Sequence, residues 1–237
     1  NKLNFEIVVV NDGSQDSTSN VLDELTRKIK ELSVISLRKN YGQTAAMSAG
    51  FDNSKGEIVI TLDGDLQNDP NDIPKLISHI NEGYDLICGW RYERKDKLIN
   101  RRIPSKIANK LIANVTGLKL HDYGCSLKAF KKEIVDDIKL YGELHRFLPV
   151  LANIEGAKIK EIKVNHRSRK YGSSKYGIDR TFRVLMDLLT VWFMTKFLTR
   201  PMYGFGFFGI ISILLSLGMT SYLFIIKLLG NDIGNRP

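Results

Sequence analysis

Four short apolar runs, at 5–10, 33–37, 58–62 and 85–88, set the strongest limit on how this chain folds. Helix-like stretches at 16–30, 42–52 and 71–82 separate them. The alternation predicts an α/β fold with a mostly parallel sheet and helices on both faces. Open sheets of this kind bind ligands beyond the carboxyl ends of their strands. The residues that directly follow each run are therefore the places to look for chemistry.

The third run, Ile58 to Leu62, is β-branched and ends in Asp63-Gly64-Asp65. Two neighbouring carboxylates are costly to keep ionised without a cation between them. Mg²⁺ or Mn²⁺ suits such oxygen donors and keeps positions open for phosphate oxygens. A plainer alternative is a capping turn, with Asp65 or Asp69 capping a helix that starts at Pro70. The first run ends in Asn11-Asp12-Gly13-Ser14-Gln15-Asp16-Ser17-Thr18. Gly13 permits a tight turn, and Ser14, Asp16 or Ser17 can cap the following helix. Asp12 could accept a hydrogen bond from a nucleobase or a ribose hydroxyl. A capping loop accounts for part of this run equally well.

Beyond residue 90 come a basic stretch (91–102), a helix near 104–116, a loop around Asp122, an amphipathic helix near 143–154 and a strand at 158–164. A Gly/Ser/Lys loop follows at 166–177. Pro201 to Ile226 then contains no charged residue, enough for a membrane-spanning helix. The preceding stretch, 178–199, mixes Arg180, Arg183 and Lys196 with large apolar residues, as helices lying among lipid headgroups do. The expected organisation is a cytoplasmic catalytic domain at 1–177, interface helices at 178–200, a transmembrane helix at 201–229 and the start of a loop at 230–237. The net charge of +9 suits an anionic membrane surface and a phosphorylated substrate. No nucleic-acid-binding module accompanies it. Cys88 and Cys125 have neither zinc spacing nor a disulfide framework, which points to a reducing compartment.

Three motifs in order, V-N-D-G-S-x-D-x-T, R-K-N-Y-G-Q-T-A-A and L-D-G-D-L-Q-N-D-P, resemble glycosyltransferase family 2 with its GT-A fold. Gly89-Trp-Arg91-Tyr92, Asp122-Tyr-Gly-Cys-Ser-Leu-Lys-Ala-Phe130, Glu143-Leu-His-Arg146-Phe147 and His166 to Tyr176 narrow the likeness to the polyprenyl-phosphate sugar transferases. The family's opening strand and its acidic loop are absent from this sequence, which therefore reads as an internal fragment. So is the second membrane helix usual in bacterial members.

The resemblance implies inverting transfer of a sugar from a UDP- or GDP-linked donor to a membrane polyprenyl phosphate, undecaprenyl phosphate being the expected acceptor. Asp63 and Asp65, with Gln67, would hold Mg²⁺ or Mn²⁺, and Asp63, Asp65 and Asp122 form the catalytic set. Asp12, Gly13, Ser14, Gly42, Gln43, Arg146, Arg169, Ser174 and Lys175 would bind the donor. The 166–176 loop would close over the donor diphosphate as a basic lid. Arg91, Arg101, Ser105 and Lys128 would hold the acceptor phosphate. Lys128 stands where many relatives carry Arg, which keeps charge but loses the planar fork. Arg146 reads equally as a helix-surface partner of Glu143. The implied protein is integral to the cytoplasmic membrane, with its catalytic domain on the cytosolic face and its oligomeric state open. Two rival expectations are extension of a polysaccharide and binding of a nucleotide sugar without turnover.

Overall fold

The computed structural model describes residues 4–92, 103–168, 179–197, 200–230 and 234. Six strands and eight α-helices follow among them. They are β1 (Ile7–Asn11), α1 (Thr18–Lys28), β2 (Leu32–Ser36), α2 (Gln43–Asn53), β3 (Ile58–Thr61), α3 (Ile73–Asn81), β4 (Leu86–Arg91) and α4 (Ile103–Thr116). Then come β5 (Lys128–Lys131), α5 (Lys132–Asp137), α6 (Leu148–Ile154), β6 (Ile159–Val164), α7 (Asp179–Phe197) and α8 (Pro201–Leu228). Short 3-10 turns at Pro70–Asp72 and Leu144–Phe147 lead into α3 and α6.

The expected strands form, but the pairing is mixed rather than mostly parallel. β1 and β2 make a parallel pair, in register from Ile7–Leu32 to Asn11–Ser36. The other sheet has the order β3-β5-β4-β6. β5 runs antiparallel to both β3 and β4, while β6 is parallel to β4. The four-residue Lys-Ala-Phe-Lys strand is not among the runs that the sequence predicts. Its position between two other strands buries it on both sides.

Side chains alternate across that sheet, and two helices exploit the alternation. Leu76 and Ile80 of α3 pack with Ile87, Ala129, Ile162 and Val164 on one face. On the other, Phe51 of α2 meets Phe130 edge-on, with ring centroids 5.7 Å apart. Cys88 and Cys125 are free and fully buried. Burial pushes the Cys88 thiol up to about 12 and raises that of Cys125.

Contacts divide the chain into two units, Asn1–Val191 and Trp192–Pro237. In the second, Phe193 packs against Phe197 and Phe205 at 5.6 and 5.4 Å. α8 includes the uncharged run and is long and apolar enough to cross a membrane.

Candidate active site

The loops after β1 and β2 meet through a glycine. Gly13 has φ +67°, and a Cβ there would lie 2.4 Å from the Lys39 carbonyl carbon. No other residue fits against that backbone without displacing it. Both Asp12 carboxylate oxygens accept backbone N–H groups of the second loop, from Tyr41 at 2.7 Å and Gly42 at 2.8 Å. Asn11, buried, accepts from the Ser14 N–H and donates to the Ser19 hydroxyl. Ser17 stands at the N-cap of α1 without a side-chain bond, and Asp16 before it accepts from both the Thr18 N–H and hydroxyl.

The fastening of residues 41–42 sets the start of α2, and α2 reaches the third strand end. Gln43 donates its side-chain amide to Asp63 at 2.9 Å. Thr44 and His145, both buried, share a hydrogen bond of 2.7 Å between Oγ1 and Nδ1. That bond brings the 144–147 turn, and Arg146 with it, beside α2. Arg146 also pairs with Glu143 at 3.2 Å, as its plainer alternative anticipates.

Asp63 and Asp65 are half-buried at the end of β3. Asp65 accepts the Gln67 N–H at 3.1 Å. Between them and Gln67 lies Leu66 at φ 62°, a left-handed conformation that costs a branched side chain energy and concentrates at functional sites. The capping alternative holds for Asp69, whose side chain accepts the Asn71 N–H at the turn before α3. It does not account for Asp65. Among the described residues no three His, Cys, Asp or Glu side chains gather as a complete metal site. Two carboxylates with a Gln carbonyl nevertheless fit a hard divalent ion that takes its remaining ligands from a bound diphosphate.

The same loop anchors the segment after β6. Gln67 and Arg167 exchange backbone and side-chain hydrogen bonds, Arg167 pairs with Asp69 at 2.8 Å, and Asn165 donates twice to buried Asp72. Asp69 is held below the ordinary carboxylate range, first by the Asn71 N–H and then by Arg167. Arg167, Asp72 and Asn165 carry no sequence signal beyond lying in or near recognised motifs.

Beside this lies a second, more buried cluster. Arg91 ends β4 and grips Asp122 with two bonds, Nε to Oδ2 at 2.6 Å and Nη2 to Oδ1 at 2.8 Å. Gly124 leaves room for the guanidinium: a Cβ there would stand 3.3 Å from Nη2. Lys128 is almost completely buried, and its ammonium donates to the carbonyls of Tyr123 and Cys125. It therefore closes the 122–127 loop from beneath. Of the other residues singled out in the sequence, Arg101, Arg169, Ser174 and Lys175 lie outside the described residues. Ser105 falls in α4, with its side chain likewise outside the description.

Residues 1–139, more than half of the chain, match the family described as Glycosyl transferase family 2. The chain belongs to that family. This glycosyltransferase is 46% identical over 243 residues to dodecaprenyl-phosphate galacturonate synthase of Rhizobium johnstonii, covering 98% of the chain and 70% of that protein. It is 39% identical over 210 residues to undecaprenyl-phosphate 4-deoxy-4-formamido-L-arabinose transferase of Pseudomonas fluorescens, covering 88% and 62%. These relatives are polyprenyl-phosphate sugar transferases, and the chain spans 60–70% of the length of the relatives of this kind that it matches. Among solved structures, glucosyl-3-phosphoglycerate synthase from Mycobacterium tuberculosis, in complex with Mn²⁺ and UDP-glucose, aligns with a TM-score of 0.59 at 17% identity. The alignment covers 79% of this chain and 67% of that one, and it establishes the GT-A-like fold.

Proposed function

We propose that this glycosyltransferase moves a sugar from a nucleotide-diphosphate donor to a membrane polyprenyl phosphate, undecaprenyl phosphate in the simplest case, with inversion at the anomeric carbon. The observation that carries the reading is the pairing of two unlike sites in one sheet. A carboxylate loop suited to a divalent cation lies at one strand end, and an arginine held rigidly by a carboxylate lies at another.

The acceptor supplies its own nucleophile. A phosphomonoester has its second pKa near ~6, so at neutral pH it needs little help from a general base. The work left to the protein is placement and charge. Asp63, Asp65 and Gln67 would hold Mg²⁺ or Mn²⁺, and the ion would supply positive charge against the nucleoside diphosphate. Asp12, Gly13, Ser14, Gly42 and Gln43 shape the donor side, with Arg146 near it. Arg169, Ser174 and Lys175, outside the described residues, would join them in binding the donor. Arg91 orients the acceptor phosphate, aided by Arg101 and Ser105. Lys128 contributes by fixing the 122–127 loop. Direct displacement leaves no covalent sugar on the enzyme.

A polyprenyl chain stays in the bilayer, while nucleotide sugars are cytosolic. The reading therefore puts the catalytic unit on the cytosolic face, with α8 as the anchor and anionic headgroups beside it. The test is a transfer assay on the full-length protein in detergent with undecaprenyl phosphate, Mn²⁺ or Mg²⁺ and radiolabelled UDP- and GDP-sugars. Label should enter the lipid phase from one donor, vanish with EDTA and drop sharply in Asp65→Asn. Label appearing in a polymer instead, or nucleotide binding without transfer from any donor, would overturn the proposal.

A further inference from the structure

We propose that Glu161 is a positioning residue for the acceptor phosphate, acting through Asp122 on Arg91. The inference rests on the proposed function, in which Arg91 receives that phosphate.

Glu161 lies in the middle of β6, opposite Cys88 of β4, with its side chain only 9% exposed. A carboxylate at such a depth is costly unless hydrogen-bonded. Among the described residues its hydrogen-bond partners come from two successive positions. Oε1 accepts the backbone N–H of Asp122 at 2.8 Å and that of His121 at 2.9 Å. Oε2 accepts from the His121 N–H at 3.0 Å and meets Nδ1 of the same residue at 2.6 Å. The 121–122 turn is thus pinned to β6 at both amides and at one side chain.

The consequence reaches Arg91. Without that pinning the 121–122 backbone could shift and carry the Asp122 carboxylate, and the arginine, with it. Held at its own N–H by Glu161, Asp122 offers both oxygens in one place, and the guanidinium takes them as a planar fork. Trp90 stacks on the His121 ring at 4.1 Å with 14° between planes and steadies the turn from the other side. Carboxylate on β6, turn at 121–122 and arginine on β4 form one chain of contacts ending at the atom group that meets the phosphate.

The experiment is steady-state kinetics on the full-length protein in detergent, with undecaprenyl phosphate and the donor identified by the transfer assay. Variants are Glu161→Ala, Glu161→Gln, Arg91→Ala and the Glu161→Ala/Arg91→Ala double. Removing partners that orient a functional ligand elsewhere costs ~10–100-fold, and a loss of that order is expected in kcat/KM for the acceptor in Glu161→Ala. The donor KM should stay unchanged. Glu161→Gln retains a carbonyl oxygen for the backbone N–H groups and should recover part of the loss. Residues acting as one unit are not additive, so Glu161→Ala should have no further effect once Arg91 is gone. Equal losses toward donor and acceptor, or additive losses in the double variant, would overturn the inference. If Glu161→Ala does not fold, normal acceptor kinetics in Glu161→Gln would overturn it as well. Should Arg91→Ala leave acceptor use intact, the assignment of Arg91 itself fails. Impairment in Arg91→Ala with intact Glu161 variants refutes the positioning role alone.

Discussion

The carboxylates at the ends of β1 and β3 and the ion pair at the end of β4 follow opposite electrostatic plans. Asp12 and Asp63 rest on neutral donors, the amides of Tyr41, Gly42 and Gln43. Arg91 is already matched to Asp122, with side chains only 15% and 6% exposed, and Glu161 stands behind the pair. A carboxylate held by neutral groups keeps its full charge for an arriving cation. An arginine held by a carboxylate has much of its charge answered, and what it adds is direction. On the proposed function, one half of the site is built to gain charge on binding, the other to keep its geometry.

The largest expected effect strikes the second half. Asp122→Ala removes the carboxylate that Arg91 grips, and losing one member of such a buried pair costs about 3–5 kcal/mol. Denaturant unfolding of the variant measures it; a loss below 1 kcal/mol would mean that the pair is more solvated than its geometry indicates. The matching change on the first half is Asp63→Asn. Stability should stay within about 0.5 kcal/mol, as for ordinary surface substitutions, while transfer falls by ~10²–10³-fold through loss of charge stabilisation. If instead Asp63→Asn unfolds the protein and keeps its turnover, the contrast between the halves is broken.

Two smaller changes sharpen it. Thr44→Val removes the hydroxyl that shares a buried hydrogen bond with His145, at a cost of about 1–3 kcal/mol, readable as a lowered Tm. The smallest effect belongs to Asp69→Asn. The folded pKa of Asp69 is depressed, so its stabilisation is present above the unfolded carboxylate pKa and disappears as pH falls through the folded one. Melting curves of wild type and variant should differ slightly at neutral pH and converge in acid. A gap that widens in acid would reverse the sign and refute the assignment.

The parts of this architecture that were legible in the sequence are those written in consecutive residues. β3 and its D-G-D loop could be found because a β-branched run and its acidic end are adjacent. β5 could not, since Lys128 and Lys131 bracket a four-residue strand whose burial comes from β3 and β4 on either side. Asp12 shows the same limit. Its aspartate in a strand-end loop was conspicuous, yet its partners lie about thirty residues away. Glu161 carries no signal of its own in Lys-Glu-Ile-Lys, being one charged residue between Lys160 and Lys163. Only the approach of the 121–122 turn gives it a buried role. Arg167 stood one place from the expected His166 and two from Arg169, and only the fold distinguishes it as the partner of Asp69.

The buried thiols have a practical consequence for watching the enzyme at work. Thiol reagents attack the thiolate, and Cys88 and Cys125, sequestered and with raised pKa values, offer them neither access nor charge. A cysteine introduced at Tyr41, 55% exposed, would be the sole target for a maleimide dye, with no need to remove core residues first. A fluorophore there would sit on the loop that Asp12 holds. On the proposed function, it would turn the arrival of a nucleotide sugar into an optical signal.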